Sequence, residues 1–257
     1  MRAVVVIPTY NEAATLRRVV ESVRATGRAH ALVVDDASPD GTGALADWLA
    51  ERDYGVHVLH RERKDGLGAA YRAGMTWALA SGYDAIGQMD ADASHDPADV
   101  PRLLDSLHNA DLVIGSRYVP GGGVRNWPRS RQLLSRGGNA YVRLWTGLPV
   151  ADATAGFRVF RRQTLAALDV DDLRSDGYSF QIELALRTYA SGFRVVEIPI
   201  TFMERTDGES KMSRSIVAEA LWRVPRWAIG WRRGPVALDD RSVAAAPRDQ
   251  TVSPGPA

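Results

Sequence analysis

Short apolar runs alternate with longer amphipathic stretches over the first 115 residues of the chain. The apolar runs are residues 3–7, 31–34, 56–60, 84–88 and 111–115. The amphipathic stretches, whose spacing predicts helices, lie near residues 12–26, 41–52, 67–81 and 97–108. Alternation of this kind is typical of an α/β fold with a Rossmann-like, mostly parallel sheet and helices on both faces.

The pattern is less regular beyond this point. Residues 119–128 are rich in glycine and proline, and their composition predicts a flexible loop. The elements predicted to follow are a helix over 130–145, a strand over 156–160, a helix over 177–190 and a strand over 193–198. Residues 206–213 are polar and contain glycine, which predicts a mobile loop, and residues 215–231 predict a helix interrupted by Pro225.

The length of 257 residues is enough for one large α/β domain with a tail. We expect the domain to cover residues 1–233, with a last helix over about 214–232. Residues 234–257 lack periodicity and are rich in Pro, Ala, Asp and Ser, which indicates a disordered tail. The chain has no cysteine, which excludes disulfides and thiolate sites. Its formal net charge of +1 argues against binding of nucleic acid by the domain as a whole.

No apolar run approaches the roughly 18 uncharged residues that a transmembrane helix needs. The apolar run at the amino terminus is too short for the core of a signal peptide. We therefore expect a cytoplasmic chain whose membrane contact is peripheral. Tryptophans and arginines are mixed within residues 215–231, which suits a membrane interface, although packing onto the domain explains them equally well.

Two aspartates, Asp90 and Asp92, follow the apolar run at residues 84–88. If this run is a strand, its alternation points both carboxylates the same way at the strand's carboxyl end, where open α/β sheets bind ligands. Two adjacent carboxylates repel each other unless a cation lies between them and an anion. Hard oxygen ligands suit Mg²⁺ or Mn²⁺ carrying a pyrophosphate. The Asp-x-Asp spacing is a weak signal by itself, and its position after a strand is what favours a site.

Two other predicted strands also end in polar residues. Tyr10 and Glu12 follow the first strand, where Tyr10 could stack on a base and Glu12 could bind a hydroxyl or an amide. An acid that favours the start of the next helix is the alternative for Glu12. The second strand ends in Asp35 and Asp36, whose carboxylates could accept hydrogen bonds from a base. Near them, Ser38 or Asp40 could cap the second helix.

Arginines are frequent after the fifth predicted strand. Arg117 follows the strand directly, and Arg125, Arg129, Arg131 and Arg136 lie on the loop and helix beyond it. The planar guanidinium matches phosphate oxygens in a bidentate way, which lysine cannot do. Arg117 is the strongest candidate because it lies at a strand end. For Arg129 and Arg136, a solvated basic helix face is the better interpretation.

Two loops that contain glycine complete the candidates. Arg205 and Lys211 lie at the two ends of a loop that could close over a pyrophosphate, with a plain surface loop as the alternative. Residues 63–74 contain three glycines but not the full dinucleotide-binding fingerprint. We interpret them as a glycine turn, followed by a third helix that packs close against the sheet.

From residue 4 to about 213, the chain resembles family 2 glycosyltransferases of the GT-A fold, and among these the polyprenyl (dolichyl) phosphate mannosyltransferases. The matching stretches are VVIPTYNEAATL, VVDDASPDGT, KDGLGAAYRAG, MDADASHDP, LVIGSRYVPGG, NWPRSRQLLS, DATAGFRVFRR, GYSFQIEL and EIPITFMERTDGESKMS. Their joint order makes the resemblance specific. It implies transfer of mannose, with inversion, from GDP-mannose to polyprenyl (dolichyl) phosphate, with Mg²⁺ or Mn²⁺. It also implies a peripheral position at the inner face of the cell membrane, or a separate membrane-protein partner.

The resemblance assigns roles to residues by motif position. Those implied to hold the nucleoside are Pro8, Tyr10, Glu12, Val34 and Asp36. Those implied to bind the sugar nucleotide are Asp90, Ala91 and Asp92, with Asp92 as the principal metal ligand. Arg117 and Arg131 are implied to receive the acceptor phosphate, and Arg205 and Lys211 to hold the donor phosphates. The residues implied in catalysis are therefore Asp92, Arg117 and Arg131.

One position departs from the family pattern. Relatives often carry Gln two residues after the second acid as a further metal ligand, where this chain has Ser94. A hydroxyl or a water molecule could substitute, so we include Ser94 with Asp90 and Asp92 and leave the metal preference open. The acceptor is a phosphate monoester with a second pKa of about 6, so it is a nucleophile at neutral pH without a general base. Arg117 and Arg131 would align it with the anomeric carbon.

Three other functions can be weighed on the residues alone. The same fold could transfer glucose from UDP-glucose to a lipid phosphate, because nothing in the residues alone distinguishes guanine from uracil. A non-catalytic module that binds sugar nucleotides is an alternative of another class. The presence of both acids, both acceptor arginines and Lys211 argues against it. A NAD-dependent oxidoreductase is disfavoured by the incomplete glycine fingerprint.

Overall fold

The structure is a computed structural model that describes residues 1–173, 175, 177–204 and 223–227. Its strands are β1 (Ala3–Thr9), β2 (His30–Asp35), β3 (Val56–His60), β4 (Ala85–Gln88), β5 (Leu112–Ser116), β6 (Gly123–Arg125), β7 (Arg158–Arg161), β8 (Val195–Pro199) and β9 (Thr201–Met203). Its α-helices are α1 (Ala13–Ala25), α2 (Thr42–Ala50), α3 (Leu67–Ala80), α4 (Val100–Ser106), α5 (Arg129–Thr146), α6 (Arg162–Ala167) and α7 (Gly177–Ala190). Short 3₁₀ turns cover Pro97–Asp99, Leu107–Asn109 and Val170–Asp172.

Seven strands form one sheet in the order β3-β2-β1-β4-β7-β5-β8. All neighbours in it are parallel except β7, which lies antiparallel between β4 and β5. A second, small sheet pairs β6 with β9 in parallel. The mostly parallel sheet confirms the predicted α/β fold of the GT-A type.

Both faces of the sheet are covered, because alternate residues of each central strand pack into different hydrophobic clusters. Val4 and Val6 of β1 belong to one cluster, together with Met75 of α3. Val5 belongs to the other, together with Leu16 of α1. Strands buried on both faces have continuous apolar sequences, which explains why β1, β2, β4 and β5 were evident in the sequence.

Helix α3 packs directly on the sheet at Gly74, as predicted. A Cβ atom placed on this glycine would lie 2.3 Å from Cγ1 of Val6 and 3.0 Å from Cγ2 of Val34. No larger residue fits without displacing the strands, because real Cβ atoms do not approach other atoms this closely. The glycine therefore sets the distance between α3 and the strands whose ends carry the candidate site.

Three predictions of local structure need correction or fall outside the described residues. The segment 119–128, predicted as a flexible loop, contains strand β6, because its backbone pairs with β9. Residues 223–227 are helical and include Pro225, so this short stretch shows no interruption at the proline. The predicted loop at 206–213, most of the predicted last helix and the tail at 234–257 lie outside the described residues. Within the described part of the chain, no helix is long and apolar enough to cross a membrane.

Candidate active site

Three turns at the carboxyl ends of β1, β2 and β4 share an uncommon backbone conformation. Asn11, Ala37 and Ala93 have φ angles of 59°, 54° and 59°. Residues other than glycine rarely adopt this left-handed region, and they persist there only where the surroundings impose it. The strands that precede these turns are adjacent and parallel in the sheet. The three strained turns therefore lie along one edge, which is the predicted ligand edge.

The first two turns are joined by hydrogen bonds from side chains to the backbone. The N–H groups of residues 11, 12 and 13 donate to Ser38 Oγ at 3.1 Å, Thr42 Oγ1 at 3.0 Å and Asp40 Oδ2 at 3.2 Å, respectively. Asp40 Oδ1 also accepts from the backbone N–H of Thr42, at the start of α2. The N-cap residue of α2 is Gly41, so the prediction that Ser38 or Asp40 caps this helix was wrong. Asp40 and Ser38 instead fix the loop that carries Tyr10 and Glu12.

The predicted nucleoside residues lie at the ends of β1 and β2 and on the turns that follow these strands. Pro8 and Val34 are buried and face each other in the register of β1 and β2. Asp36 is also buried, and its Oδ1 accepts from Arg61 Nη1 at 2.6 Å. Burial raises the pKa of Asp36, and the charge and hydrogen bond of Arg61 partly oppose this rise. Arg61 was not predicted; it follows β3 and approaches the site only because β3 is the next strand in the sheet.

Tyr10 and Glu12 are both half-buried. Lys64 Nζ lies 3.8 Å from the centre of the Tyr10 ring, which is a cation–π contact. Glu12 Oε2 accepts from Thr15 Oγ1 at 3.2 Å, within the first turn of α1. Tyr10 therefore presents an aromatic face beside a cation at this edge, whereas Glu12 also has the local helix-start contact that was its alternative interpretation.

Asp90 and Asp92 lie on the turn after β4 and not within the strand, because β4 ends at Gln88. Strand alternation is therefore not what brings them together, and that part of the prediction was wrong. Tyr71 of α3 donates to Asp90 Oδ1 at 3.0 Å, and the backbone N–H of Ser94 donates to Asp92 Oδ1 at 3.0 Å. Burial raises the pKa of Tyr71 well above its usual value, and the charges of Asp90 and Asp92 raise it further. Both carboxylates thus act on the same buried hydroxyl.

The residues of this turn fit a divalent cation of the Mg²⁺ or Mn²⁺ type. Asp90 and Asp92 supply carboxylates, and Ser94 supplies a buried hydroxyl whose Oγ has no hydrogen-bond partner among the described residues. Such cations are commonly bound by one or two carboxylates together with phosphate oxygens of the substrate, not by a full protein cage. The described residues contain no group of three or more His, Cys, Asp or Glu that could hold a metal by itself.

A partly open cavity of about 100 Å³ adjoins the turn after β4. It brings together three predicted residues, Asp90, Arg117 and Arg131. The other residues that line it are His95, Gly115, Trp127, Thr154, Ala155, Gly156, Tyr178, Ile200, Phe202 and Glu204. The carboxylate of Asp90 and two arginines far apart in the sequence therefore face one space.

Arg117 is clamped by Asp152, the first residue of the matching stretch DATAGFRVFRR, which received no role from the sequence. The Arg117 side chain donates from Nε to Asp152 Oδ2 at 2.7 Å and from Nη2 to Asp152 Oδ1 at 2.6 Å. Nη2 also donates to Thr154 Oγ1 at 2.9 Å. Burial alone would lower the pKa of Arg117, but the charge and hydrogen bonds of Asp152 outweigh it and raise this pKa. The bidentate side of the guanidinium is thus already used, and only Nη1 takes no part in these bonds.

Asp152 is held in turn by Glu197 of β8. The Glu197 carboxylate accepts from the backbone N–H of Ala151 at 2.7 Å and of Asp152 at 2.9 Å. Asp152 has no exposed surface. Burial alone would raise the pKa of Asp152, but the charge and hydrogen bonds of Arg117 outweigh burial and lower this pKa. Glu197 is the first residue of the matching stretch EIPITFMERTDGESKMS, but no pattern in the sequence connected it to residues 151–152.

Arg131 lies in the first turn of α5, close to an aromatic ring and an acid. Its guanidinium carbon is 4.1 Å from the centre of the Trp127 ring, and its Nη1 donates to Glu204 Oε1 at 2.6 Å. The acid Glu204 was not predicted, and it places a carboxylate next to an arginine expected to bind phosphate. Arg205 and Lys211, predicted to hold donor phosphates, lie outside the described residues.

A second buried arginine shapes the cavity wall. Arg158 of β7 is fully buried and donates to the carbonyl oxygens of Ala153, Ala155 and Gln181 at 2.6–2.7 Å. Burial lowers the pKa of Arg158 to about 9, which leaves it charged at neutral pH. Its bonds fix the loop that carries Thr154 and Gly156, and Gly156 leaves room for Asp90. A Cβ on Gly156 would lie 3.3 Å from Asp90 Oδ2.

Comparison with known proteins points to one family. Residues 4–168 match the model described as Glycosyl transferase family 2. An undecaprenyl-phosphate mannosyltransferase of Micrococcus luteus is 53% identical over 233 residues, which cover 90% of this chain and 96% of the relative. A polyprenol monophosphomannose synthase of Mycolicibacterium smegmatis is 53% identical over 234 residues, which cover 90% of this chain and 88% of the relative.

Solved structures of similar fold include nucleotide-sugar complexes. The mannosyltransferase PcManGT from Pyrobaculum calidifontis, in complex with GDP-Man and Mn²⁺, superposes with a TM-score of 0.55 at 18% identity and covers 95% of this chain and 76% of its own. GalNAc-T7 with UDP, GalNAc and Mn²⁺ gives a TM-score of 0.61 at 16% identity and covers 90% of this chain and 50% of its own. At this level of identity the likeness concerns the fold alone.

Proposed function

The chain belongs to glycosyl transferase family 2, and we propose that it is the glycosyltransferase that moves mannose from GDP-mannose to polyprenyl phosphate. The observation that carries the proposal is the shared cavity, because Asp90 of the carboxylate turn and two arginines, Arg117 and Arg131, all line it. A transferase needs a donor site and an acceptor site that meet, and this cavity joins an acid of the donor edge to its basic side, the part lined by Arg117 and Arg131.

The donor would occupy the edge formed by the turns after β1, β2 and β4. On this side, the nucleoside residues would be Pro8, Tyr10, Glu12, Val34 and Asp36, and the sugar nucleotide would lie against Asp90, Ala91 and Asp92. Mg²⁺ or Mn²⁺ held by Asp90, Asp92 and Ser94 would supply the positive charge that stabilises the departing GDP. Arg205 and Lys211 would contribute further cations to the donor phosphates.

The acceptor phosphate would bind on the basic side of the cavity. Its second pKa of about 6 makes the phosphate oxygen a nucleophile at neutral pH, so proton abstraction by the protein is not required. Arg117 would donate a hydrogen bond to the phosphate from Nη1, because Nε and Nη2 already donate to Asp152 and Thr154. With Arg131 it would orient the phosphate toward the anomeric carbon, and one displacement would invert this centre and give polyprenyl phosphate β-mannose.

Transfer of radiolabelled mannose from GDP-mannose to polyprenyl phosphate, with and without Mg²⁺ or Mn²⁺, tests the proposal. We expect a lipid-linked product only with the cation and with GDP-mannose, and the coupling constants of its anomeric carbon should identify the β linkage. Transfer from UDP-glucose instead would favour the glucosyltransferase alternative. If the chain transferred no sugar at all, the result would favour the alternative of a non-catalytic module that binds sugar nucleotides.

A matched pair of variants tests the acceptor assignment. Arg117→Ala should abolish most transfer, whereas Arg129→Ala, which removes an exposed arginine at the start of α5, should leave it nearly unchanged. Normal turnover of the Arg117→Ala variant would contradict the role given to this residue.

A further inference from the structure

His95 is a buried residue of the cavity wall that has no role in the proposed mechanism. It follows Ser94 on the turn after β4, is 4% exposed and lines the cavity. Its ring lies between two aromatic rings, with 5.2 Å between the ring centres for Phe157 and 5.3 Å for Phe202. Packing on both sides fixes the plane of the imidazole, so its nitrogen atoms point in defined directions.

Neither nitrogen of the His95 ring is hydrogen-bonded within the described part of the chain. Nδ1 is buried and has no partner there, and no described residue bonds to Nε2. A buried polar atom without a hydrogen bond costs free energy, and phenylalanine would fill the same space without this cost. Because Nδ1 is enclosed, Nε2 is the nitrogen that a ligand in the cavity can reach.

His95 lies close to both the acidic and the basic residues of the cavity. Burial lowers the pKa of His95, the charges of Asp90 and Asp92 act to raise it, and the charge of Arg117 acts to lower it further. Under the proposed function, the donor diphosphate lies at Asp90 and Asp92, and the acceptor phosphate lies at Arg117. The sugar that passes from one to the other must therefore lie between these groups, next to the imidazole.

We propose that His95 binds the transferred sugar, through a hydrogen bond between Nε2 and one of the sugar hydroxyl groups. A hydroxyl group suits this position because it can donate to an imidazole nitrogen or accept from it. A site that hydrogen-bonds a substrate hydroxyl discriminates against analogues that lack it, so His95 is a specificity-determining residue. The assignment rests on the proposed function for the position of the donor, and it adds the group that recognises the sugar itself.

Binding of the donor without any acceptor tests this assignment. Isothermal titration calorimetry in the presence of Mg²⁺ compares GDP-mannose with GDP, for the full chain and for its His95→Phe variant, which keeps an aromatic ring but has no nitrogen. We expect the variant to bind GDP-mannose about three- to tenfold more weakly, through loss of one hydrogen bond, and to bind GDP unchanged. Equal weakening for both ligands would place His95 at the cation or the diphosphate, and no weakening would make it a packing residue. Either result would overturn the proposal.

Two amide variants identify the nitrogen that binds. Glutamine places its amide group about where Nε2 lies, and asparagine places it about where Nδ1 lies. We expect His95→Gln to keep most of the affinity for GDP-mannose and His95→Asn to lose it as His95→Phe does. The opposite order would contradict the assignment to Nε2. His108→Phe, which changes an exposed histidine, is the matched control and should bind both ligands normally, and GDP binding shows that each variant is folded.

Analogues of GDP-mannose that each lack one hydroxyl group identify the hydroxyl that His95 binds. With one of these analogues, we expect the unaltered chain and His95→Phe to have equal affinity, because the hydrogen bond is already absent. A loss of the same size with every analogue would contradict the proposal.

The same measurements distinguish this inference from the proposed function. If the unaltered chain binds GDP-mannose but transfers no sugar, the proposed function fails and the result for His95 stands. If it binds UDP-glucose instead, the comparison of UDP-glucose with UDP tests His95, and only the proposed donor is wrong. Binding of neither sugar nucleotide would overturn both proposals.

Discussion

Replacement of Asp152 by asparagine is the most informative single change in the site. The Asp152 carboxylate accepts four hydrogen bonds, from the backbone N–H, Nε and Nη2 of Arg117 and from Thr154 Oγ1. An amide has one oxygen where the carboxylate has two, and its NH₂ group would face donors. The Asp152→Asn variant thus removes the negative charge and loses the acceptor on one side of the group.

The energetic cost follows from burial. Arg117 is 6% exposed and Asp152 has no exposed surface, so water cannot replace the lost partner. Removing one member of a buried ion pair leaves an uncompensated charge and destabilises a protein by about 3–5 kcal/mol. We expect a loss of this size in the free energy of unfolding of Asp152→Asn, and about 0.5 kcal/mol or less for the control Glu21→Gln, whose exposed ion pair with Arg17 is screened by water.

Urea unfolding at pH 7 measures both values, and a double-mutant cycle identifies their origin. The variant Arg117→Met/Asp152→Asn should be less destabilised than the sum of its single variants by about 1–3 kcal/mol, because it no longer contains an unpaired buried charge. The lowered pKa of Asp152 means that its stabilising effect is complete above the pKa of an unfolded aspartate and is lost as the pH falls through the lower folded value. We therefore expect this stabilising effect to be lost below about pH 4, during acid unfolding.

Steady-state kinetics show whether the pair also positions Arg117 for the acceptor. We expect Asp152→Asn to raise the KM for polyprenyl phosphate by about tenfold or more, with the KM for the sugar nucleotide nearly unchanged. Two results would refute the reasoning. A destabilisation below 1 kcal/mol would show that breaking the buried ion pair does not leave a costly unpaired charge. An equal rise in both KM values would indicate general disruption of the fold and not a local effect on Arg117.

Three further predictions use other parts of the structure. Gly74→Ala should lower the free energy of unfolding by about 1–3 kcal/mol in urea, because its Cβ would overlap a strand side chain, whereas Gly138→Ala in open space on α5 should raise it by about 0.5–1 kcal/mol. Glu204→Gln should lower the KM for the acceptor by about two- to fivefold in the transfer assay, since it releases Arg131 from a half-exposed competing carboxylate; a raised KM would contradict this. Burial and nearby arginines lower the pKa of His57, so the unfolded chain binds more protons and stability should fall as the pH drops below about 6.5; His57→Gln should flatten this dependence in unfolding curves at several pH values.

The elements of the fold were predictable where burial leaves a local pattern. Strands β1, β2, β4 and β5 are buried on both faces, so each gives an apolar run. Helices α5 and α7 were predicted within one residue of their bounds. Strand β7 was predicted too, but not its antiparallel place between β4 and β5, because strand order depends on pairings between distant residues. The short strands β6 and β9 are defined only by each other, and the glycines of residues 121–123 predicted a loop instead.

The candidate site divides in the same way. Asp90 and Arg117 directly follow or lie near the ends of predicted strands, whereas Arg131, inside a predicted helix, received its role from the resemblance; the cavity brings all three together. Asp152 and Glu197 each begin a stretch that matches the family, but the sequence gave neither a role, because their importance lies in bonds to residues 35 and 45 positions away. A motif identifies a residue that could bind a ligand, but not the buried partner that holds it.

That distinction changes the interpretation of Arg117 itself. From the sequence it is a flexible cation at a strand end, with a planar fork free for phosphate. In the structure its Nε and Nη2 are bound to Asp152, and Glu197 holds the backbone of Asp152. The guanidinium therefore points one nitrogen in a fixed direction before any substrate arrives, so little conformational entropy remains to be lost when an anion binds. An arginine held in this way contributes a fixed direction for its hydrogen bond more than its charge. The Asp152→Asn variant still contains the Arg117 cation, but it should impair the acceptor step because the guanidinium is no longer held in that direction.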